Sequence, residues 1–229
     1  MLQVEFQDKN RTMVKNITEL IQKTKVIPLF YEADTLVACQ LIDACYKGGA
    51  RVIEFTNRGD KAQLVFANLL EYCQEKYPDL AIGIGSIATA EQAELFIELG
   101  AHFLVSPFID EEIADYCKKR NVFWTGGCAT LTEMNHAHKW GVPVMKAFPG
   151  NLLGPNYIKS ALAPCPWLKI MPTGGVKPEE ENLKSWFNAG AIAVGMGSQL
   201  FVKNQDGEFD YEKITSLLSN SIQVAQQFN

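Results

Sequence analysis

Eight short β-rich segments recur along the chain, and their regular spacing constrains the fold more than any other feature of the sequence. Successive segments start between 20 and 30 residues apart, which leaves room for a strand, a crossover helix and two short loops in each unit. Several segments are apolar almost throughout, which is typical of parallel strands covered on both faces. They start at Val26, Arg51, Ala81, His102, Val122, Val142, Leu168 and Ala191.

The stretches between these segments have the apolar periodicity of helices. Eight strand–helix units without a linker or low-complexity run predict a single (β/α)8 TIM barrel domain over residues 1–229, with an open doubly wound sheet as the alternative. Residues 9–25 predict an extra N-terminal helix that closes one end of the barrel, and residues 211–228 predict the last barrel helix. A glycine precedes four of the segments, where the C terminus of a helix favours it: Gly49, Gly100, Gly141 and Gly190.

Composition and charge narrow the possible partners. The chain has 229 residues, of which 47% are hydrophobic, so it can bury a full core. Its formal net charge of −5 at pH 7 disfavours a polyanion-binding surface, and we expect no nucleic acid partner. No apolar run is long enough to span a bilayer, and the start of the chain carries charges where a signal peptide has its apolar stretch. We therefore expect a cytoplasmic protein with no membrane partner.

The cysteine and histidine residues do not form a metal-binding pattern. Six cysteines are dispersed without a C-x-x-C motif, which predicts buried thiols in a reducing compartment rather than disulfides or a zinc site. His136 and His138 point to different faces of a predicted helix, and His102 opens its segment, at the end opposite to barrel active sites. The sequence therefore predicts no metal site.

Two titratable residues lie near the ends of predicted strands, where the active sites of such barrels are found. Lys146 lies near the end of the sixth segment and Glu54 near the end of the second, each among apolar neighbours. Burial shifts the pKa of both groups toward the neutral form, so the amine can attack a carbonyl and the carboxyl can move protons near neutrality. The alternative is structural, with Lys146 paired to a carboxylate and Glu54 paired to Lys146 or Arg58.

The loops that follow the predicted strands supply candidate anion-binding groups. Arg58, four residues after Glu54, can hold a carboxylate through its guanidinium, although a lone arginine in a loop is more often a solvated charge. Gly174-Gly175 and Gly197-Ser198 follow the last two segments, and barrels commonly build a phosphate site there from backbone N–H groups. Either pair alone is also consistent with an ordinary turn. Together they favour a phosphate site.

Six motifs occur in barrel order along the chain, and they carry a resemblance to a known family. They are RVIEFTNR, GIGS, VSP, KAFP, PTGGV and GMGS. With them the chain resembles the class I aldolases that cleave 2-keto-3-deoxy-6-phosphogluconate (KDPG) and 4-hydroxy-2-oxoglutarate (KHG). These are small (β/α)8 enzymes that form a Schiff base with pyruvate.

The resemblance implies a role for each candidate residue. Lys146 is expected to be the Schiff-base lysine, and Glu54 the acid/base that moves protons. No cofactor is implied, because the iminium itself is the electron sink. The family also implies a homotrimer. The remaining expected contacts are Arg58 and Thr173 at the pyruvyl carboxylate, Ser86 and Pro107 along the pocket, and Gly174, Gly175, Gly197 and Ser198 at the phosphate.

The leading hypothesis is a lyase that cleaves a phosphorylated 2-keto-3-deoxy sugar acid of the KDPG type to pyruvate and glyceraldehyde 3-phosphate. A KHG aldolase is the first alternative. A second is a barrel phosphosugar isomerase or epimerase, with Glu54 as base and Lys146 as an electrostatic group. A third is a non-catalytic barrel that binds phosphoesters. Positions that depart from the family pattern, such as Phe108 and Asn151, are expected to line the pocket beyond the pyruvyl carbons.

Overall fold

The computed structural model describes residues 17–228, in which parallel strands alternate with helices. The strands are β1 (Val26–Phe30), β2 (Val52–Thr56), β3 (Ala81–Gly85), β4 (Phe103–Val105), β5 (Phe123–Thr125), β6 (Gly127–Cys128), β7 (Met145–Ala147), β8 (Ile170–Pro172) and β9 (Val194–Met196). The helices are α1 (Ile17–Thr24), α2 (Thr35–Lys47), α3 (Ala62–Lys76), α4 (Ala90–Leu99), α5 (Glu111–Arg120), α6 (Leu131–Trp140), α7 (Gly150–Leu162), α8 (Glu180–Asn188) and α9 (Tyr211–Ala225).

Each of the eight predicted segments contains one of these strands. The additional strand, β6, was not predicted. It has two residues and follows β5 after the single residue Gly126. The C-terminal half of the predicted N-terminal helix is observed as α1, and residues 9–16 of that prediction lie outside the described residues. The predicted last helix is α9, which ends at Ala225.

All strand pairs are parallel and form two hydrogen-bonded sheets. One has the order β5-β4-β3-β2-β1-β9, and the other has the order β6-β7-β8. A parallel bridge pairs Thr173, directly after β8, with Gly195 of β9. At the opposite junction, Thr125 Oγ1 of β5 donates a hydrogen bond to Val144 O, directly before β7, at 2.7 Å. The strands therefore belong to an α/β fold with a curled parallel sheet.

Two apolar layers pack on the two faces of the curled sheet. Along β2, Val52 belongs to the inner layer, whereas Ile53 and Phe55 belong to the outer layer under the helices, as the two-residue period of a strand requires. Helix α1 contributes Ile17 and Ile21 to the inner layer, each 2% exposed. Because burial of such a side chain contributes roughly 1.5–3 kcal/mol, these two residues hold α1 against the sheet.

Side-chain caps fix where several helices begin after the strands. The capping oxygens accept hydrogen bonds from backbone N–H groups of the first helical turn, which otherwise lack partners. The loops that lead into these capped helices therefore have defined conformations, and three of them carry candidate site residues, namely Ser86, Pro107, and Gly197 with Ser198. The capping residues are Asp34, Thr89, Asp110, Thr130 and Asp210.

The structure also locates the cysteines and the candidate metal ligands of residues 17–228. All six cysteines are free thiols, of which four are buried and two are half-buried. No cluster of three or more His, Cys, Asp or Glu side chains in this part of the chain has the geometry of a metal site. Its helices also fall short of the length and hydropathy that a membrane span requires.

Candidate active site

Lys146 and Glu54 are buried at the central positions of their strands, and not near the strand ends as the sequence predicted. Lys146 is the central residue of β7 and is 5% exposed, while Glu54 of β2 is 4% exposed. The neighbours of Lys146 in the strand, Met145 and Ala147, belong to the outer layer, so alternation directs the lysine to the inner face. The same alternation places Glu54 on the inner face between Ile53 and Phe55. The amine and the carboxyl therefore share the interior of the curled sheet.

Burial favours the neutral form of both groups. It lowers the pKa of the Lys146 ammonium, and the positive charge of Arg58 lowers it further, while Glu54 acts in the opposite direction. Burial likewise raises the pKa of the Glu54 carboxyl, against the attraction of Lys146 and Arg58. Within residues 17–228 neither group forms an ion pair at 4.0 Å or less. The structural ion pair that the sequence left open is therefore not formed.

The carboxyl of Glu54 lies directly over Gly85, the last residue of β3. A Cβ atom on Gly85 would lie 2.5 Å from Glu54 Cδ and 2.9 Å from its Cγ, well inside normal carbon–carbon contact. Residue 85 must therefore lack a side chain for the carboxyl to occupy its position. Neither the length nor the spacing of the predicted strands indicated this role for the glycine.

Arg58 follows β2 and extends toward the loop after β3. Its side chain is exposed, and its Nε donates a hydrogen bond to Ser86 Oγ at 3.3 Å. The backbone of the preceding residue is tied to β3, because Asn57 N–H donates to Gly85 O at 2.8 Å. The guanidinium therefore stays near the amine and the carboxyl, and its charge lowers the pKa of both.

Thr173 and Pro107 flank Lys146 on its two sides. Thr173 follows β8, which pairs with β7, and is 6% exposed. On the other side, Gly127 of β6 is the register partner of Lys146, and a Cβ on Gly127 would collide with Pro107 O. The loop after β4 thus rests on the strand next to the lysine. The structure brings the sequence-predicted residues of the pyruvyl pocket to the same end of the sheet.

The two glycine loops present backbone N–H groups without partners in the described chain. Thr173 O accepts a hydrogen bond from Gly150 N–H at 2.7 Å, which ties the loop after β8 to the start of α7. Five further N–H groups, four in the two glycine loops and one at the start of α7, make no hydrogen bond within residues 17–228. Gly174 and Gly175 have positive φ angles of 96° and 73°. These N–H groups belong to Gly174, Gly175, Asn151, Gly197 and Ser198.

Sequence reasoning gave no role to Phe148, whose ring centroid lies 5.0 Å from Lys146 Nζ. The ring covers one side of the amine with an apolar surface. An aromatic residue two positions after a strand lysine was visible in the KAFP motif, but its orientation depends on the chain path into α7.

The curled parallel α/β fold and the buried amine on its inner face have the arrangement of an enzyme site that could use a lysine as nucleophile. A family model described as KDPG and KHG aldolase matches residues 17–217. The chain belongs to this aldolase family and is a carbon–carbon lyase of class I.

Two named aldolases are similar to the chain, one over almost its whole length and the other over part of it. The 2-dehydro-3-deoxy-phosphogluconate aldolase of Treponema pallidum is 30% identical over 209 residues, which are 91% of this chain and 97% of that protein. The 2-dehydro-3-deoxy-6-phosphogalactonate aldolase of Escherichia coli is 35% identical over 136 residues, 58% of this chain and 65% of that protein.

Two solved structures share the fold at 25% identity. A native KDPGal structure aligns with a TM-score of 0.78 and covers 88% of this chain and 94% of its own. The KDPG aldolase of Legionella pneumophila, with pyruvate captured as a covalent carbinolamine, aligns with a TM-score of 0.77 and covers 87% of this chain and 95% of its own.

Proposed function

We propose that the chain cleaves a phosphorylated 2-keto-3-deoxy sugar acid of the KDPG type to pyruvate and glyceraldehyde 3-phosphate. The observation that carries this proposal is the buried Lys146 amine, which shares the inner face of the sheet with the Glu54 carboxyl and forms no ion pair with it within the described chain. A desolvated amine is a nucleophile for the C2 ketone, and an adjacent carboxyl can move the protons that the reaction requires.

In the proposed reaction, Lys146 Nζ adds to C2 of the keto acid and forms a carbinolamine. Glu54 donates a proton to the departing hydroxyl, so water leaves and an iminium remains. The positive iminium then draws the electrons of the C3–C4 bond. This covalent intermediate divides one difficult cleavage into easier steps without a cofactor.

Cleavage requires a base at the C4 hydroxyl. Glu54, now ionised, accepts that proton as the C3–C4 bond breaks, which releases the aldehyde and leaves an enamine of pyruvate on Lys146. The carboxyl then returns its proton to C3, and water hydrolyses the iminium to release pyruvate. Both proton transfers use one carboxyl whose raised pKa suits it to act in either direction.

The groups around the amine are proposed to orient the two ends of the substrate. Arg58 and Thr173 hold the pyruvyl carboxylate, and Ser86 and Pro107 line the pocket between them. The phosphate is bound by the N–H groups of the two glycine loops, which is supported by their lack of partners within residues 17–228. The loop residues proposed for this role are Gly174, Gly175, Gly197 and Ser198.

We also propose that the strands close into a (β/α)8 barrel that forms a single domain, with α1 as the extra N-terminal helix. The Thr173–Gly195 bridge and the Thr125–Val144 hydrogen bond support closure, because they join the two sheets at both junctions. A homotrimer and a cytoplasmic location stay predictions.

The C4 configuration of the substrate has a specific second candidate. The similarity to the phosphogalactonate aldolase of Escherichia coli makes the C4 epimer of KDPG the second candidate substrate. Initial rates of pyruvate release from KDPG, from its galactonate epimer and from KHG decide between them. The proposal expects a kcat/KM for a phosphorylated acid well above that for KHG. Faster cleavage of KHG would make the chain a KHG aldolase, and interconversion of phosphosugars without pyruvate release would support the isomerase alternative.

A further inference from the structure

A tyrosine on the outer face of the sheet packs against the loop that carries Arg58. Tyr31 directly follows β1 and is half-buried, with its ring centroid 5.7 Å from that of Phe55 in β2. Its hydroxyl reaches Gly59, the residue after Arg58. A Cβ on Gly59 would lie 2.7 Å from Tyr31 Oη and 3.1 Å from Cζ. The phenol therefore occupies the space that a side chain at residue 59 would need.

Gly59 also has a backbone conformation that favours glycine. Its φ angle is 105°, in the left-handed region, and its carbonyl accepts a hydrogen bond from Ala62 N–H at 3.1 Å at the start of α3. Before Arg58, the chain is tied to β3 through Asn57 N–H. The contact with Tyr31 thus fixes the chain immediately after the arginine, where it turns toward α3.

The position of the Arg58 guanidinium depends strongly on this backbone. The side chain is long and exposed, and it makes one side-chain hydrogen bond in the described chain, from Nε to Ser86 Oγ at 3.3 Å. Every rotamer of the side chain is built outward from Cα, so a displaced backbone displaces the guanidinium in each of them. A small displacement of Gly59 is transmitted to the guanidinium through the adjacent residue.

We propose that Tyr31 is a positioning residue whose phenol holds Gly59 and thereby fixes where Arg58 presents its guanidinium to the carboxylate of the keto acid. This inference rests on the proposed function, since it requires that Arg58 bind that carboxylate. Tyr31 itself does not touch the substrate. It acts through Arg58 alone, and its effect therefore disappears when residue 58 has no guanidinium.

The test is a double-mutant cycle on Tyr31 and Arg58. Tyr31→Phe keeps the ring against Phe55 and removes the hydroxyl, which is the part of Tyr31 that approaches Gly59 most closely. We expect it to raise KM for the keto acid about threefold to tenfold with a smaller change in kcat, the size of effect that residues in contact commonly show. In an Arg58→Gln background, the same substitution should change KM less than about twofold. Equal effects in both backgrounds would overturn the proposal.

A second readout separates positioning from a general loss of structure. The charge of Arg58 lowers the pKa of Lys146, so a guanidinium that moves away shifts the pH dependence of imine formation to higher pH. Tyr46→Phe is the matched control, because it removes a phenol that donates to Asp79 Oδ1 at 2.8 Å on the outer surface. The control should leave KM and the pH profile unchanged. A pH profile that Tyr31→Phe does not move would also count against the proposal.

Failure of this inference and failure of the proposed function give different results. Borohydride reduction in the presence of pyruvate should modify Lys146 in the wild type and in the folded variants of Tyr31, Tyr46 and Arg58. Absence of modification in the wild type refutes the proposed function. Modification with no coupling between Tyr31 and Arg58 refutes the positioning role alone. Because Tyr31→Phe changes only the hydroxyl, thermal unfolding should show it folded.

Discussion

The close approach of Glu54 to Gly85 allows the proposed proton shuttle to be displaced without altering any titratable residue. Gly85→Ala adds one methyl group to β3, and that group would lie 2.5 Å from Glu54 Cδ. Carbon atoms in favourable contact are about 3.5–4.0 Å apart, so the carboxyl must retreat by about 1 Å or more. The strand and the amine on β7 keep their positions.

A displacement of this size is expected to impair proton transfer more than binding. Misplacement of a reacting group by about 1 Å can lower a rate by about 10²-fold. We expect Gly85→Ala to slow the exchange of pyruvate methyl protons with solvent deuterium by about that factor, because exchange requires both the imine and the carboxyl. Imine formation at equilibrium, measured by borohydride reduction, should persist.

Gly83→Ala is the matched control on the same face of the same strand. Its Cβ would lie 2.5 Å from the Phe103 ring in the apolar interior rather than against the carboxyl. Overpacking of this kind costs roughly 1–3 kcal/mol of stability, so the melting temperature falls while exchange per folded molecule stays near wild type. Combining Gly85→Ala with Glu54→Asp shortens the acid and should recover part of the exchange rate. Exchange by folded Gly85→Ala within threefold of wild type would refute the assignment of Glu54 as the proton shuttle.

Three further predictions follow from charge and hydrogen bonding. Trapping of pyruvate requires unprotonated Lys146 and therefore declines as pH falls through the lowered pKa of this lysine. Arg58→Gln removes a positive charge that lowers the pKa of Lys146. In this variant the decline in trapping, measured at saturating pyruvate, should therefore move to higher pH. Gly197→Asp should reduce kcat/KM for a phosphorylated acid at least about 10²-fold relative to the isosteric Gly197→Asn, and equal values for both variants would contradict the phosphate site. Asp43 accepts hydrogen bonds from two tyrosine hydroxyls and Lys76, which lower its pKa, so it stabilises the fold above its unfolded pKa and loses this effect as pH falls through the folded pKa. Urea titration should accordingly show Asp43→Asn less stable by about 1 kcal/mol at pH 7, with a smaller difference in acid.

The parts of the fold that depend on local sequence were predictable. Gly100 and Gly141 precede predicted strands, and both end their helices in the left-handed conformation that favours glycine. The placement of Lys146 and Glu54 on strands also followed from the spacing of the segments, although both lie at the centre of a strand and not near its end. Short-range periodicity and end signals carry this information, because they depend on residues a few positions apart.

Contacts between distant segments could not be read from the sequence. The strand β6 exists because Gly127 pairs with β7, and nothing local distinguishes its two residues from a loop. The close approach of Glu54 to Gly85 likewise depends on the register of neighbouring strands, and so does the packing of Tyr31 against Gly59. Such contacts form only once the sheet is assembled, which is why the sequence indicated the candidate catalytic groups but not the residues packed against them.

The central claim is that the Lys146 amine forms an imine with pyruvate. Reduction with borohydride in the presence of pyruvate, followed by peptide mass spectrometry, tests this claim most directly. We expect one pyruvyl adduct, located on Lys146, and its loss in the Lys146→Met variant, which keeps the apolar packing and should fold. No adduct on the wild type, or an adduct on another lysine that persists in Lys146→Met, would contradict it.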